Sequence, residues 1–128
     1  MRASNRINVL ASLGALLAAP QALPAGNSGA VAPLPATLRD TGLYVAGSST
    51  EIDPANLAFS PQYPLWTDGM SKRRWLHLPA GTFIDASQPD AWQFPIGTRL
   101  WKEFSHGRRV ETRFIERVAD GSWRFASY

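Results

Sequence analysis

The chain has 128 residues, of which 45% are hydrophobic and 18% charged, so it is long enough for one domain with its own core. Its ten glycines and ten prolines favour many turns and short elements over a bundle of long helices. Its lack of cysteine excludes a disulfide framework, a thiolate metal site and a C-x-x-C-H haem attachment within these residues.

The first thirty residues have the pattern of a secretory signal peptide. Arg2 and Arg6 form a basic start, and residues 7–19 are mostly apolar or small, a run too short to span a bilayer. Small residues then predict cleavage between residues 22 and 32, with Ala22, Ala25 and Ala30 as the candidate positions. We therefore expect a periplasmic or secreted protein with no membrane span after signal removal. An amphipathic or buried N-terminal helix is the alternative.

Charge is distributed unevenly along the chain. The formal net charge is +3, and removal of Arg2 and Arg6 with the signal leaves +1. Residues 31–69 carry −3, whereas ten basic and six acidic side chains give residues 70–128 a charge of +4. So small a net charge does not indicate nucleic-acid binding, and we expect no nucleic-acid partner.

The mature chain begins with a flexible lead-in at residues 31–37, followed by a β domain at 38–128. A short helix is predicted over residues 36–41, with Gly42 as its left-handed stop. Residues 46–69 contain three prolines and no sustained period, which predicts an ordered extended loop. The expected anchors of this loop are its large apolar residues, Phe59, Tyr63, Leu65 and Trp66.

From residue 72 the pattern changes to strands, predicted at 74–78, 83–85, 98–104, 109–118 and 123–128. The last three form an antiparallel meander whose final hairpin turns at Asp120-Gly121. We expect an apolar face with Leu100 and Phe104 to cover the core and an exposed face of paired Arg and Glu. The predicted fold is therefore mainly β, a sandwich-like antiparallel sheet with one short N-terminal helix, incomplete at its C-terminus.

One stretch, PLWTDGMSKRRW, concentrates groups that could bind a ligand. A turn at Asp68-Gly69 separates Trp66 from three consecutive cations, and arginine offers paired donors to a carboxylate or propionate. The candidate contact residues for a ligand or partner are Trp66, Asp68, Lys72, Arg73, Arg74 and Trp101. The alternative is structural, with Asp68 capping its turn and the cations pairing with Glu51, Asp53 or Asp68.

Trp101 belongs to this candidate set because its predicted strand face also carries Arg99 and Glu103, although a tryptophan in a small β domain commonly fills the core. The two histidines, His77 and His106, have no ligand-like spacing, so no metal site is predicted. No nucleophile elbow or phosphate-binding loop occurs, and no catalytic residue is assigned.

Four segments follow one another over residues 38–128: LRDTGLY, FSPQYPLWTDGMSKRRWLHLPAGTFID, WQFPIGTRLWKEF and GRRVETRFIERVADGSWRFASY. Together they resemble the N-terminal region of a family of uncharacterised secreted bacterial proteins. Many members of that family are cytochrome-c-like and carry a c-type haem motif further along. The resemblance implies haem c in a longer form and no cofactor within this chain.

These observations lead to one expected function and two alternatives. The expected function is a non-catalytic N-terminal module of a cytochrome-c-like electron-transfer protein, whose partner is a downstream haem segment or a redox protein. A stand-alone module that binds carbohydrate or another cell-envelope ligand is the first alternative, motivated by the five tryptophans. An enzyme with a site near Asp68 and Lys72–Arg74 is the second.

Overall fold

The computed structural model describes residues 31–63, 65–66 and 68–128; the predicted signal peptide lies outside them. The fold is mainly β, with one antiparallel sheet that does not close. Five strands follow one another in chain order, each paired with the next. They are β1 (Leu57–Ala58), β2 (Ser71–His77), β3 (Arg99–His106), β4 (Arg108–Arg117) and β5 (Trp123–Ser127).

The predicted C-terminal meander is confirmed as β3, β4 and β5, and the backbone turn between the last two lies at Val118–Gly121. The predicted strand at 83–85 is wrong, because Asp85 makes only an isolated bridge to Gln93. The predicted helix is a single 3-10 turn, Leu38–Thr41, which ends at Gly42 with φ 82° as expected.

A row of aromatic side chains crosses one face of the sheet. Trp75, Trp101 and Phe114 are direct neighbours on β2, β3 and β4, and all three are buried. The segment that follows the 3-10 turn places Leu43 and Tyr44 over this row, completing the core. We call this side of the sheet the covered face.

The structure reverses the prediction for β3, because the face with Trp101 is covered and the face with Leu100 is open. Large rings bury more apolar area than the aliphatic side chains opposite them, and a covered polar group is tolerated when it has a partner. Trp101 Nε1 donates to Thr41 Oγ1 at 2.9 Å, and Glu103 accepts from Arg73. These partners allow the more polar face to be the buried one.

The expected anchors of the 46–69 loop are also wrong. Trp66 is 87% exposed, and the other three anchors, Phe59, Tyr63 and Leu65, are exposed as well. This segment is held instead by Asn56, whose side-chain amide donates to the carbonyls of Gly42 and Leu43 at 2.9 and 3.0 Å. Leu43 and Tyr44 already fill the covered face, so the large apolar residues beyond β1 have no core to enter.

Candidate functional site: the open face of the sheet

The face opposite the covered one carries an apolar stripe that crosses every strand. Directly paired positions place one large aliphatic or aromatic residue on each strand. We call this set the apolar row: Leu57, Leu76, Leu100, Ile115 and Phe125. Its outer members are exposed, Leu57 to 59% and Phe125 to 64%, and the inner three are half-buried. Apolar side chains that lie next to each other in such a stripe and remain partly exposed are typical of an interaction surface.

A line of positive charge runs beside the apolar row. Arg74, Lys102 and Arg113 occupy the next directly paired positions of β2, β3 and β4, and we call them the basic row. Like charges directly opposite each other destabilise a sheet. Burial lowers the pKa of Lys102, and the positive charges of Arg74, Lys72 and Arg113 lower it further. The basic row is thus a local cost to folding, which an anionic partner would relieve.

The Phe104 ring lies beside the basic row and contacts two of its cations. Lys102 Nζ lies 4.9 Å from the centre of the Phe104 ring, and the Arg113 guanidinium lies 4.8 Å from it. Glu111 accepts a hydrogen bond from Arg113 Nε at 2.8 Å, which partly neutralises one cation. The ring holds both cationic groups close to the sheet, where their charges are pre-positioned for a ligand.

An aromatic pair borders the apolar row on its other side. Phe94, from the loop before β3, packs edge-on against Trp123 with ring centres 5.6 Å apart. The Arg117 guanidinium lies 5.6 Å from the Trp123 ring. The open face is therefore amphipathic across its width, with cations on one side, aliphatic side chains in the middle and aromatic rings on the other side.

The structure does not gather the candidate residues of the PLWTDGMSKRRW stretch into one cluster. Trp66 Nε1 donates to Asp68 Oδ1 at 2.8 Å in the exposed loop, and Asp68 adopts φ 48° at its turn. Lys72 Nζ donates to the Leu65 carbonyl at 3.2 Å, so it ties the loop to β2. Arg74 alone of the three consecutive cations belongs to the basic row.

The remaining candidates lie on the covered face. Arg73 donates from Nε and Nη2 to Glu103 Oε1 at 3.1 and 2.8 Å, so its ion-pair partner is Glu103 rather than an acid of the loop. Trp101 is buried in the core and is not available to a surface ligand. A β-strand alternates its side chains between faces, and this alternation separates Arg73 from Arg74.

Sequence reasoning missed the apolar and basic rows because both depend on register between strands. The sequence shows that Leu100 and Lys102 share one face of β3, and that Arg113 and Ile115 share one face of β4. The register between the strands then pairs the two cations, Lys102 with Arg113, and the two apolar residues, Leu100 with Ile115. Strand faces predicted from the aliphatic count alone would place this surface in the core.

Within residues 31–63, 65–66 and 68–128, no group of three or more histidine, cysteine or carboxylate residues could hold a metal ion. No helix in the described part of the chain has the length and hydrophobicity needed to cross a membrane. In comparisons with protein families, curated proteins and solved structures, this chain matched none of them.

Proposed function

We propose that this chain is a secreted, non-catalytic β module of a cytochrome-c-like electron-transfer protein, and that its open face docks against a haem-bearing segment. The juxtaposition of the apolar row and the basic row carries this proposal. On this account, the docked segment forms the second layer over the sheet, and the complete arrangement is sandwich-like.

The chemistry of haem c is complementary to this surface. The macrocycle is flat and apolar, and its two propionates are anionic. The apolar row crosses five strands, which span about 19 Å at the usual spacing between strands. A haem edge lying along the row would bring its propionates to Arg74, Lys102 and Arg113, where guanidinium groups can bind carboxylates through paired hydrogen bonds. This contact would offset the repulsion within the basic row.

The test uses a haem c peptide, in which haem is attached to a short C-x-x-C-H sequence. Haem quenches tryptophan fluorescence, and Trp123 borders the apolar row. Titration of the chain with this peptide should give saturable quenching that weakens as salt rises, because charge pairing at a surface is screened. A titration without saturation would contradict the proposal.

Two sets of variants locate the contact. The double variant Leu57→Ser/Phe125→Ser removes exposed apolar area, and Arg74→Gln/Lys102→Gln removes two charges. Each should weaken binding at least about tenfold. Val110→Ser is the matched control, since Val110 is 57% exposed but lies at the β-bulge of β4, outside the row. Equal losses in all three variants, or losses in the control alone, would remove the open face from the contact.

A further inference from the structure

A second polar site lies on the covered face, at the end of the sheet where β3 turns into β4. It is a pocket of about 570 Å³, bordered by side chains from β2, β3, β4 and the N-terminal segment. The residues important to its chemistry are Tyr44, Arg73, Glu103, Ser105, Arg108 and Arg109. We call it the Glu103 pocket. Because it lies on the face opposite the apolar row, the inference does not rest on the proposed function.

Glu103 supplies a buried carboxylate to the pocket. The residue is 3% exposed, and Arg73 donates twice to Oε1. Among the described residues, no hydrogen bond reaches Oε2. A carboxylate oxygen in this position is a strong acceptor for a ligand hydroxyl group.

The two arginines of the pocket walls are held in place by aromatic rings. Arg73 lies over the Trp75 ring at 5.2 Å, and Arg109 lies over the Tyr44 ring at 5.9 Å and donates to the Tyr44 hydroxyl. Burial raises the pKa of Tyr44 above its ordinary value of 10.0, so this hydroxyl stays protonated and remains able to donate. Pre-positioned side chains lose less conformational entropy when a ligand binds.

The β-bulge completes the site. The register between β3 and β4 shifts at Phe104/Ser105, so that Ser105 pairs with Arg109 and both line the pocket. Such bulges redirect side chains at the ends of strands. Arg108 also lines the pocket and is exposed, and within the described part of the chain its side chain forms no hydrogen bond or ion pair. The pocket therefore combines free positive charge at Arg108 with hydroxyl groups and one carboxylate inside.

We propose that the Glu103 pocket binds an acidic sugar, a uronate, with the ligand carboxylate at Arg108 and Arg109 and a ligand hydroxyl donating to Glu103. A neutral sugar would leave Arg108 and Arg109 without an anionic partner. A phosphate dianion carries twice the negative charge of a uronate, and that charge would face the Glu103 carboxylate. A hydroxylated carboxylate offers an anion to the arginines and a hydroxyl donor to the Glu103 carboxylate.

Calorimetric titration of the chain with galacturonate, galactose and inorganic phosphate tests this inference. Galacturonate should bind at least about tenfold more tightly than either of the others, the difference expected for one charge-assisted contact. Arg108→Gln should weaken galacturonate binding by a similar factor without affecting folding, because Arg108 is exposed. Arg113→Gln, on the open face, is the matched control and should bind like the unmodified chain.

The result that would overturn the inference is equal binding of galacturonate and galactose, tighter binding of phosphate, or no binding of galacturonate. Unchanged galacturonate affinity in Arg108→Gln and Arg109→Gln together would also overturn it. None of these results bears on docking of the haem peptide, because that contact uses the opposite face.

Discussion

The buried hydroxyl of Thr41 should contribute more to stability than any other threonine hydroxyl of the covered face. Thr41 is 1% exposed, accepts from Trp101 Nε1 at 2.9 Å and donates to the Leu38 carbonyl at 2.7 Å. Thr41→Val keeps the shape of the side chain but leaves the indole N–H buried without this acceptor. The expected loss is about 2 kcal/mol in the free energy of unfolding, since a buried unsatisfied group costs about 1–3 kcal/mol.

Thr112 provides the matched control, because it is 0% exposed and its Oγ1 has no hydrogen-bond partner in the described structure. Thr112→Val should be neutral, or stabilise by up to about 1 kcal/mol, because it removes an unpaired buried hydroxyl. Urea unfolding followed by tryptophan fluorescence measures the free energy of unfolding of both variants. In a separate thermal unfolding experiment, Thr41→Val should lower the melting temperature by roughly 10 °C. A loss in Thr41→Val no greater than that in Thr112→Val would refute the reasoning.

Three further predictions concern a turn, a histidine and a cation. Gly42→Ala should destabilise more than Gly47→Ala, although both glycines have φ 82°. At Gly42, unlike Gly47, a Cβ atom would meet Arg99 Nη1 at 2.5 Å, and moving this guanidinium would cost its hydrogen bond to the Thr41 carbonyl. Equal losses by urea unfolding would contradict this. Burial, and then the charge of Arg99, lower the pKa of His77 below 6.5. Protonation therefore favours the unfolded chain, so stability should fall as pH decreases below about 6.5, and His77→Gln should flatten that part of the stability profile. Lys102→Gln should stabilise the chain by about 0.2–1 kcal/mol by relieving repulsion in the basic row, while weakening haem-peptide binding; a destabilised variant would contradict this.

The C-terminal meander was predictable because its signals are local. Alternation marks β3 and β4, and the Asp120-Gly121 turn fixes the hairpin that follows β4. The 3-10 turn and its stop at Gly42 were likewise predictable in place, although not in length. In each case neighbouring residues decide the conformation.

The choice of the covered face could not be predicted in the same way. It depends on contacts between distant parts of the chain, in which Thr41 satisfies Trp101 and Arg73 satisfies Glu103. The hydrophobic pattern of β3 alone does not indicate these contacts. For the same reason, the sequence favours Trp101 as a surface candidate although its side chain is buried. Strand alternation also places Arg73 and Arg74 on opposite faces of the sheet, so the predicted ligand contacts do not lie together.

The central claim, that the open face docks against a haem-bearing segment, is tested most directly by methyl NMR with the haem c peptide. Haem shifts the resonances of nearby methyl groups through its ring current. The methyl groups of Leu76, Leu100 and Ile115 should therefore shift on titration, whereas that of the fully buried Leu43 on the covered face should not. Shifts confined to Leu43 and Leu38, or no shift at any of these positions, would contradict the claim.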